Sequence, residues 1–458
     1  MGQQKTVKCT VHRLTDGPKH HLFGFHDLII SNEEDTKYLC LEADTINRPP
    51  LPGELFGVGY VERGRFVKVG TTTAMNYPQG SRQQWVAGSD FFTVNNRVGD
   101  VWGTDLYDAT DNKLIDRYEA STHVLSNDGK WSFGLDYSRL YRLGGYGYAG
   151  IEDKGKDEIA PIHSGITVMD MQTKEIKLLV SVREVAEFGT KNINNVCPHY
   201  LTHLCLNPSS TRLAFIHRYD LPAGGMIDRL MTVNVDGSDL RCLGSGYMSH
   251  YHWRDDDTII IYGRTNSAID SIQNSKLLSN PLFALPIMDK PLKLARHIAK
   301  MAFRSSGRAN MGRSFLIITD REVPTITPFA ESLLTEDGHP MFCPKNNDWF
   351  VIDTYPDTEG IRSLMLYNIK TDELVIVGRF CRLFEQPDMT LQDIFFEGVE
   401  KTVLGVTTAK DYAFTRSGLH CDLHPRWNSL GDKAVFDSIH EGTRQIYSID
   451  VSRIIAKK

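Results

Sequence analysis

The sequence predicts an all-β fold, a seven-bladed β-propeller whose last blade is closed by the N-terminal strand. Two observations carry that expectation. Seven times the chain runs through a polar or His-bearing entry, a short alternating stretch, a turn rich in Asp, Asn, Ser and Gly, and then a hydrophobic β run. After most of these hairpins a second one follows, which makes four strands per unit. Closing such units into a ring leaves no free sheet edge.

The seven turns fall at 31–35, 87–90, 126–129, 207–210, 254–257, 344–348 and 428–432. Strands follow them, as at Tyr38 to Glu42, Arg212 to His217, Thr258 to Tyr262, Trp349 to Asp353 and Lys433 to Asp437. Second hairpins are legible at 165–170 with 175–180, at 230–235 with 240–243, and at 364–369 with 373–377. The last unit is one strand short, because the chain ends soon after Gln445 to Val451; the strand read at Lys5 to Leu14 completes it. Residues 1–458 thus form a single propeller domain with an insertion at about 266–329 in blade five. Within that insertion, residues 291–304 carry an amphipathic basic helix pattern, expected to pack on the propeller's flank. A rim loop is expected at 385–415, and the glycines of 141–155 lack the strand-to-helix setting of a phosphate loop.

Composition sets limits. With 41% hydrophobic and 24% charged residues, the chain has the balance of a soluble globular protein. No apolar run approaches the roughly 20 residues of a membrane span. The first residues lack a secretory segment and only formally fit a myristoylation pattern. The eight cysteines are scattered with no Cys-x-x-Cys pair, so reduced thiols in a cytoplasmic protein are expected, or a periplasmic one if a signal peptide has been removed. A net charge of −6 argues against general nucleic-acid affinity, while oligomeric state is left open.

In a propeller, the entry to each innermost strand and the exit of the second open on the same face. The entries hold His26 with Asp27, Gln79 with Arg82 and Gln84, His123, His199 with His203, His250 with His252, His339, and His420 with Asp422 and His424. Nine of the 16 histidines therefore fall in these short windows, which is more than chance clustering supplies. The exits add Arg48, Arg97, Arg139, His217 with Arg218, Arg264, Asp353 with Tyr355, and His440. Arginine's planar fork suits carboxylate or sulfate, so this face reads as an anion-binding funnel. Taken singly, each histidine has a plainer role in hydrogen-bonding adjacent blades, and the Asp-rich turns are hairpin chemistry that needs no calcium. For a divalent metal, Mn²⁺ or Zn²⁺, the residues with the right chemistry are His250, His420, Asp422 and His424, because alternate residues of a strand share one side.

The blade pattern and these His-rich entries resemble the oligogalacturonate lyase family and related seven-bladed lyases such as the ulvan lyases, within the larger set of TolB-like propellers. A family motif of His, aromatic residue and polar turn is matched by His250 to Asp255, and a second His-x-His motif places its residues on Asp422 and His424. The family's metal site holds three histidines and a glutamine; no Gln stands at the matching offset, and His420 is nearest. The resemblance implies β-elimination of an acidic, uronate-containing oligosaccharide. Arg82, Arg218 and Arg264 would clamp the substrate, with Gln84, His26, His123 and His440 beside it. His199 or Arg218 would be the base, and Tyr200, Tyr251 or His440 the proton donor. The competing expectation is a non-catalytic propeller that binds an acidic glycan or a protein on the same funnel. A hydrolase is disfavoured because no Gly-x-Ser-x-Gly elbow occurs.

Overall fold

Side chains alternate across a strand, so the β-branched and aromatic runs of this chain bury one face of each sheet against its neighbours. The computed structural model describes residues 2–189, 197–220, 226–265, 312–381 and 409–456. Six hydrogen-bonded sheets follow one another along the chain. Sheet one holds His20–Leu22, Lys37–Ala43, Phe56–Glu62 and Arg65–Thr72 in that order. Sheet two runs from Gln84–Trp85 to Lys113–Tyr118, and sheet three from Val124–Leu125 to Ile176–Ser181. Sheet four has seven strands, from His199–Leu206 to Ile326–Phe329. Its long strand Arg241–Trp253 pairs with Met226–Asn234 through its first half and with Thr258–Thr265 through its second. The hand-over falls at Gly246, whose φ of 142° is open to glycine but not to a residue with a Cβ.

Sheet five contains Met341–Cys343, Asn346–Asp353, Ile361–Asn368 and Glu373–Cys381, and sheet six contains Arg426–Trp427, Lys433–Ser438 and Gln445–Asp450. The N-terminal stretch is divided between these two sheets rather than forming one strand. Gln3–Thr6 lies parallel to Glu373–Cys381 on sheet five, whereas Val11–Arg13 lies antiparallel to Gln445–Asp450 as the fourth strand of sheet six. Of the expected insertion, residues 266–311, with the basic pattern at 291–304, lie outside the described residues; Ser314–Thr319 and Ile326–Phe329 are strands of sheet four. Of the expected rim loop at 385–415, residues 385–408 lie outside the description, and Ala409–Arg416 is helical.

The glycine-rich stretch after residue 141 ends a helix instead of cradling a phosphate. Asp136 caps Tyr137–Gly144 by accepting from the Arg139 N–H, and Gly145 closes it at φ 67°. The turns are built by a repeated asparagine. Asn32, Asn207 and Asn428 each accept, through Oδ1, the backbone N–H groups four and five residues on, at 2.8–3.0 Å. A repeated tryptophan ties successive hairpins together: Trp85, Trp253 and Trp427 donate from Nε1 to the carbonyls of Ile30, Cys205 and Met341 at 2.9–3.0 Å, within sheet four for Trp253 and between sheets for the other two. None of the eight cysteines is in a disulfide. Among the described residues no helix is long and apolar enough to cross a membrane.

Sheets one and six share a buried carboxylate. Asp437 accepts from Arg426 at 3.0 Å, from Arg444 at 2.9 Å and from the Phe23 N–H at 3.2 Å. Asp437, Arg426 and Arg444 are all essentially excluded from solvent. Removing the acid leaves two guanidinium groups buried beside each other. Asp437→Ala is therefore expected to lower stability by about 3–5 kcal/mol, read from urea unfolding, and a loss below about 1 kcal/mol would show that the seam does not depend on it.

Candidate metal centre and adjoining cavity

Local backbone distortions aim the histidines at one another. His203 (φ 57°) and His424 (φ 42°) adopt the left-handed conformation that residues with a Cβ rarely hold. His203 lies in a register shift between Thr202 and Cys205, and His250 in one between Met248 and Tyr251. Such bulges re-aim side chains that a regular strand would point elsewhere. Gly24 (φ 126°) packs so closely on Gln79 and Gly80 that a Cβ would lie 2.6 Å from backbone, which lets Phe25 and His26 turn inward.

The result is a cluster of five imidazoles around Phe25. The Phe25 ring lies 4.4 Å from His26, 5.1 Å from His203, 6.0 Å from His250, 6.1 Å from His339 and 5.2 Å from His424, centre to centre. His339 is 4.2 Å from His250 and 4.3 Å from His424 on the same measure. His339, Asp422 and His424 are buried and offer ligand atoms that all lie within 4.8 Å of one another.

Hydrogen bonds set which nitrogen of each ring is available. His339 Nδ1–H donates to Asp353 at 2.7 Å, His424 Nδ1–H to the Gly24 carbonyl at 3.0 Å, and His250 Nδ1–H to Asp337 at 3.1 Å. A carbonyl cannot donate, so His424 carries its proton on Nδ1 and keeps a bare Nε2; the carboxylates orient the other two in the same sense. Asp353 also accepts from the His424 N–H at 3.1 Å, so one carboxylate positions two of the rings. Asp422 is fastened on both oxygens, by Arg362 at 3.0 and 3.1 Å and by His420 Nε2 at 2.8 Å. Burial, followed by the neighbouring histidines for His26 and by His339 for His424, holds both well below the ordinary imidazole value, and burial with Arg218 does the same for His203. At neutral pH these rings are uncharged, the form that binds metal. Burial opposes charge on His339, yet Asp353 beside it raises its value. Asp422 is held well below the usual carboxylate range because His420 and Arg362 outweigh its burial.

A cavity of about 360 Å³ opens beside the cluster, lined by His203 and His250 with Arg218, Tyr146, Tyr247, Tyr355, Ser249, Met226 and Asp337. Arg218 is braced by Asp228 and by the Met248 carbonyl. Tyr247 lies beneath the Arg313 guanidinium at 3.6 Å. Two larger cavities lie elsewhere: one of about 390 Å³ around Trp102 and Asp136, and one of about 570 Å³ among the Asn and Asp turns. Neither contains a residue of the five-imidazole cluster.

The residues singled out from sequence are distributed as follows. Of the metal candidates, Asp422 and His424 lie in the compact trio, His250 flanks it, and His420 reaches it through Asp422. His26 is in the cluster and Arg218 in the cavity wall. Arg82, expected to hold substrate, is fully buried; it grips Asp27 at 2.7 and 3.0 Å and the His123 carbonyl at 2.7 and 3.0 Å. Gln84 donates to the same carbonyl, and His123 Nδ1 meets the Tyr137 hydroxyl at 2.9 Å. His199, expected as a base, stacks on His217 with ring centres 5.0 Å apart and lies inside the wall. Tyr200 is buried there too, and the Tyr251 hydroxyl donates to the His203 carbonyl. Arg264 is buried opposite Tyr247 on the neighbouring strand. His440 pairs with Ser438 at 2.7 Å and packs on Phe380 and Tyr447, away from the cluster. Asp337 and Phe25 drew no attention in the sequence. Asp337 lies two residues before His339, within the same strand entry, and that proximity was the available signal.

No protein-family model matches the sequence, and no curated protein sequence matches it. Solved structures do. The oligogalacturonate lyase of Vibrio parahaemolyticus is 12% identical and covers 98% of this chain and 96% of its own, at a TM-score of 0.53. An oligogalacturonate lyase in complex with manganese is 10% identical with full coverage of both chains, at 0.41. TolB from Acinetobacter baumannii is 12% identical over 75% of this chain and 63% of its own, at 0.33. The likeness to the Vibrio parahaemolyticus structure shows that the chain shares that protein's β-propeller fold. At such identities the likeness is one of fold.

The fastening of Asp422 has a pH signature. Its folded value lies below the unfolded one of about 3.9, so its ion pairs contribute fully above the unfolded value and are lost as pH falls through the folded one. In chelator-treated protein, the Tm difference between wild type and Asp422→Asn is expected to be widest above about pH 5 and to close on acidification. A difference that stays constant down to about pH 2 would remove the charge from the explanation.

Proposed function

We propose that this protein is a metal-assisted lyase that cleaves an acidic, uronate-containing oligosaccharide by β-elimination at the mouth of a seven-bladed propeller. Sheet four supplies two four-stranded blades that share Arg241–Trp253, which brings six sheets to seven blades. The ring closes where Val11–Arg13 completes sheet six and where sheets six and one touch, through the Ser429 N–H on Ser31 at 2.9 Å and through Lys433 with Asp35.

One juxtaposition carries the function: His203 and His250 belong both to the imidazole cluster and to the cavity, and Arg218 and three tyrosines line that same cavity. His339, Asp422 and His424 would hold a divalent cation, Mn²⁺ or Zn²⁺, with His250 at its flank. Such a cation would neutralise the uronate carboxylate and so acidify the C5 hydrogen. Arg218 supplies positive charge on the cavity side. His203 is uncharged, its Nδ1 is engaged by Thr202 at 2.9 Å, and its Nε2 takes the C5 proton. As the C5–H pair becomes the C4–C5 double bond, the C4–O bond breaks and the leaving oxygen takes a proton. Tyr355, whose ring lies 6.3 Å from His250, or Tyr146, 5.7 Å from His203, donates it.

Metal-loaded protein incubated with uronate oligosaccharides is expected to release an unsaturated product that absorbs in the ultraviolet. His203→Ala should lower kcat by about 100-fold or more while leaving metal content unchanged. His339→Ala should lose both metal and turnover. Glycan binding without any unsaturated product, unaffected by His203→Ala, would identify a binding propeller instead.

A further inference from the structure

We infer that His26 is a further ligand to the same metal, so that metal binding fastens sheet one to sheets four, five and six. This rests on the metal reading above and goes beyond it, because His26 stands outside the compact trio. The observation is an unbalanced hydrogen-bond account. His26 is 1% exposed, and neither of its ring nitrogens has a hydrogen-bond partner among the described residues. Each of the other four imidazoles in the cluster has a partner on Nδ1: Thr202 for His203, Asp337 for His250, Asp353 for His339 and the Gly24 carbonyl for His424. A buried imidazole with both nitrogens unmet is costly and calls for a partner.

Ring spacing points to what that partner is. A metal–nitrogen bond of about 2.1 Å places an imidazole centre roughly 3.2 Å from the ion, so ligand centres lie about 4.5 Å apart at right angles, about 5.2 Å apart at the tetrahedral angle and about 6.4 Å apart when opposed. His250 with His339 at 4.2 Å and His339 with His424 at 4.3 Å match neighbouring ligands. His26 lies 5.3 Å from His339, 6.0 Å from His250 and 6.3 Å from His424, between the neighbouring and opposed values. No hydrogen bond opposes rotation of its ring toward a shared ion. Burial keeps the ring uncharged, and Phe25 packs against it at 4.4 Å.

The ligands come from different parts of the chain. His26 follows the first strand of sheet one, His250 lies in the shared strand of sheet four, and His339 and His424 immediately precede the first strands of sheets five and six. A set of four imidazoles and one carboxylate also favours Zn²⁺ or Co²⁺ over Mn²⁺, since affinity rises from Mn²⁺ to Co²⁺, imidazole suits Zn²⁺ and oxygen donors suit Mn²⁺.

The test uses the full chain, stripped with chelator and titrated with Co²⁺, Zn²⁺ and Mn²⁺. Calorimetric Kd, the visible Co²⁺ spectrum and the metal-induced rise in Tm are read for wild type, His26→Ala and His26→Gln. Wild type is expected to bind one ion, Zn²⁺ and Co²⁺ more tightly than Mn²⁺. His26→Ala should weaken Zn²⁺ binding by about 10–100-fold, change the Co²⁺ spectrum and reduce the rise in Tm. Should His26→Ala fail to fold, nitrogen NMR of histidine-labelled wild type titrated with Zn²⁺ decides: a metal-induced shift of a His26 ring nitrogen supports the ligand, and an unmoved resonance overturns it. Unchanged Kd and Co²⁺ spectrum in His26→Ala overturn the inference while leaving the metal site standing. Absence of metal binding by wild type overturns both.

Discussion

One buried carboxylate, Asp437, fastens the first sheet to the last. It neutralises Arg426 and Arg444 and accepts the Phe23 N–H, and all of these groups are buried. Charges out of water need a counter-charge and hydrogen bonds with good geometry, and one acid supplies both for two guanidinium groups. Its hold on Phe23 matters most for the site. The next three residues are Gly24, whose carbonyl orients His424, then Phe25, on which five imidazoles pack, and His26. The candidate metal centre therefore depends on the contact between the first and last sheets.

The same economy recurs around the molecule. Arg82 ties Asp27, just past the first strand of sheet one, to the carbonyl of His123 at the third sheet, while Arg139 reaches from the third to the His199 carbonyl on the fourth. Arg212 and Arg241 share Asp320 across sheet four. Three tryptophan indoles donate to backbone carbonyls of an earlier hairpin. Arginine serves here as a buried joint because its planar fork satisfies a carboxylate and a carbonyl at once. The consequence is that several arginines whose sequence position suggested a substrate funnel are occupied in the wall, and Arg218 is the one that lines the cavity beside the histidines.

Much of the fold was legible because hairpin chemistry is local. Asn32, Asn207 and Asn428 bind N–H groups four and five residues on, so their turns are written in the spacing itself. The clustering of histidines at strand entries was legible for the same reason, and it led to His250, Asp422 and His424. The division of the N-terminal stretch between two sheets was not. Nothing in Gln3 to Arg13 states that its first half pairs parallel to Glu373–Cys381 while its second half crosses to Gln445–Asp450. Nor did alternation along a strand foretell that His203 and His424 adopt the left-handed conformation that aims their rings inward.

The sequence by itself determined an all-β chain of repeated hairpins with imidazoles gathered at one end of the innermost strands, since turn preference and alternation act within a few residues. Only the tertiary structure decided which of those imidazoles meet. His26, His250, His339 and His424 come from segments far apart in the chain. Their convergence depends on bulges, on a tight approach of Gly24 to Gly80, and on carboxylates such as Asp353 that orient two rings at once. These are long-range packing constraints, and no short window of sequence contains both partners.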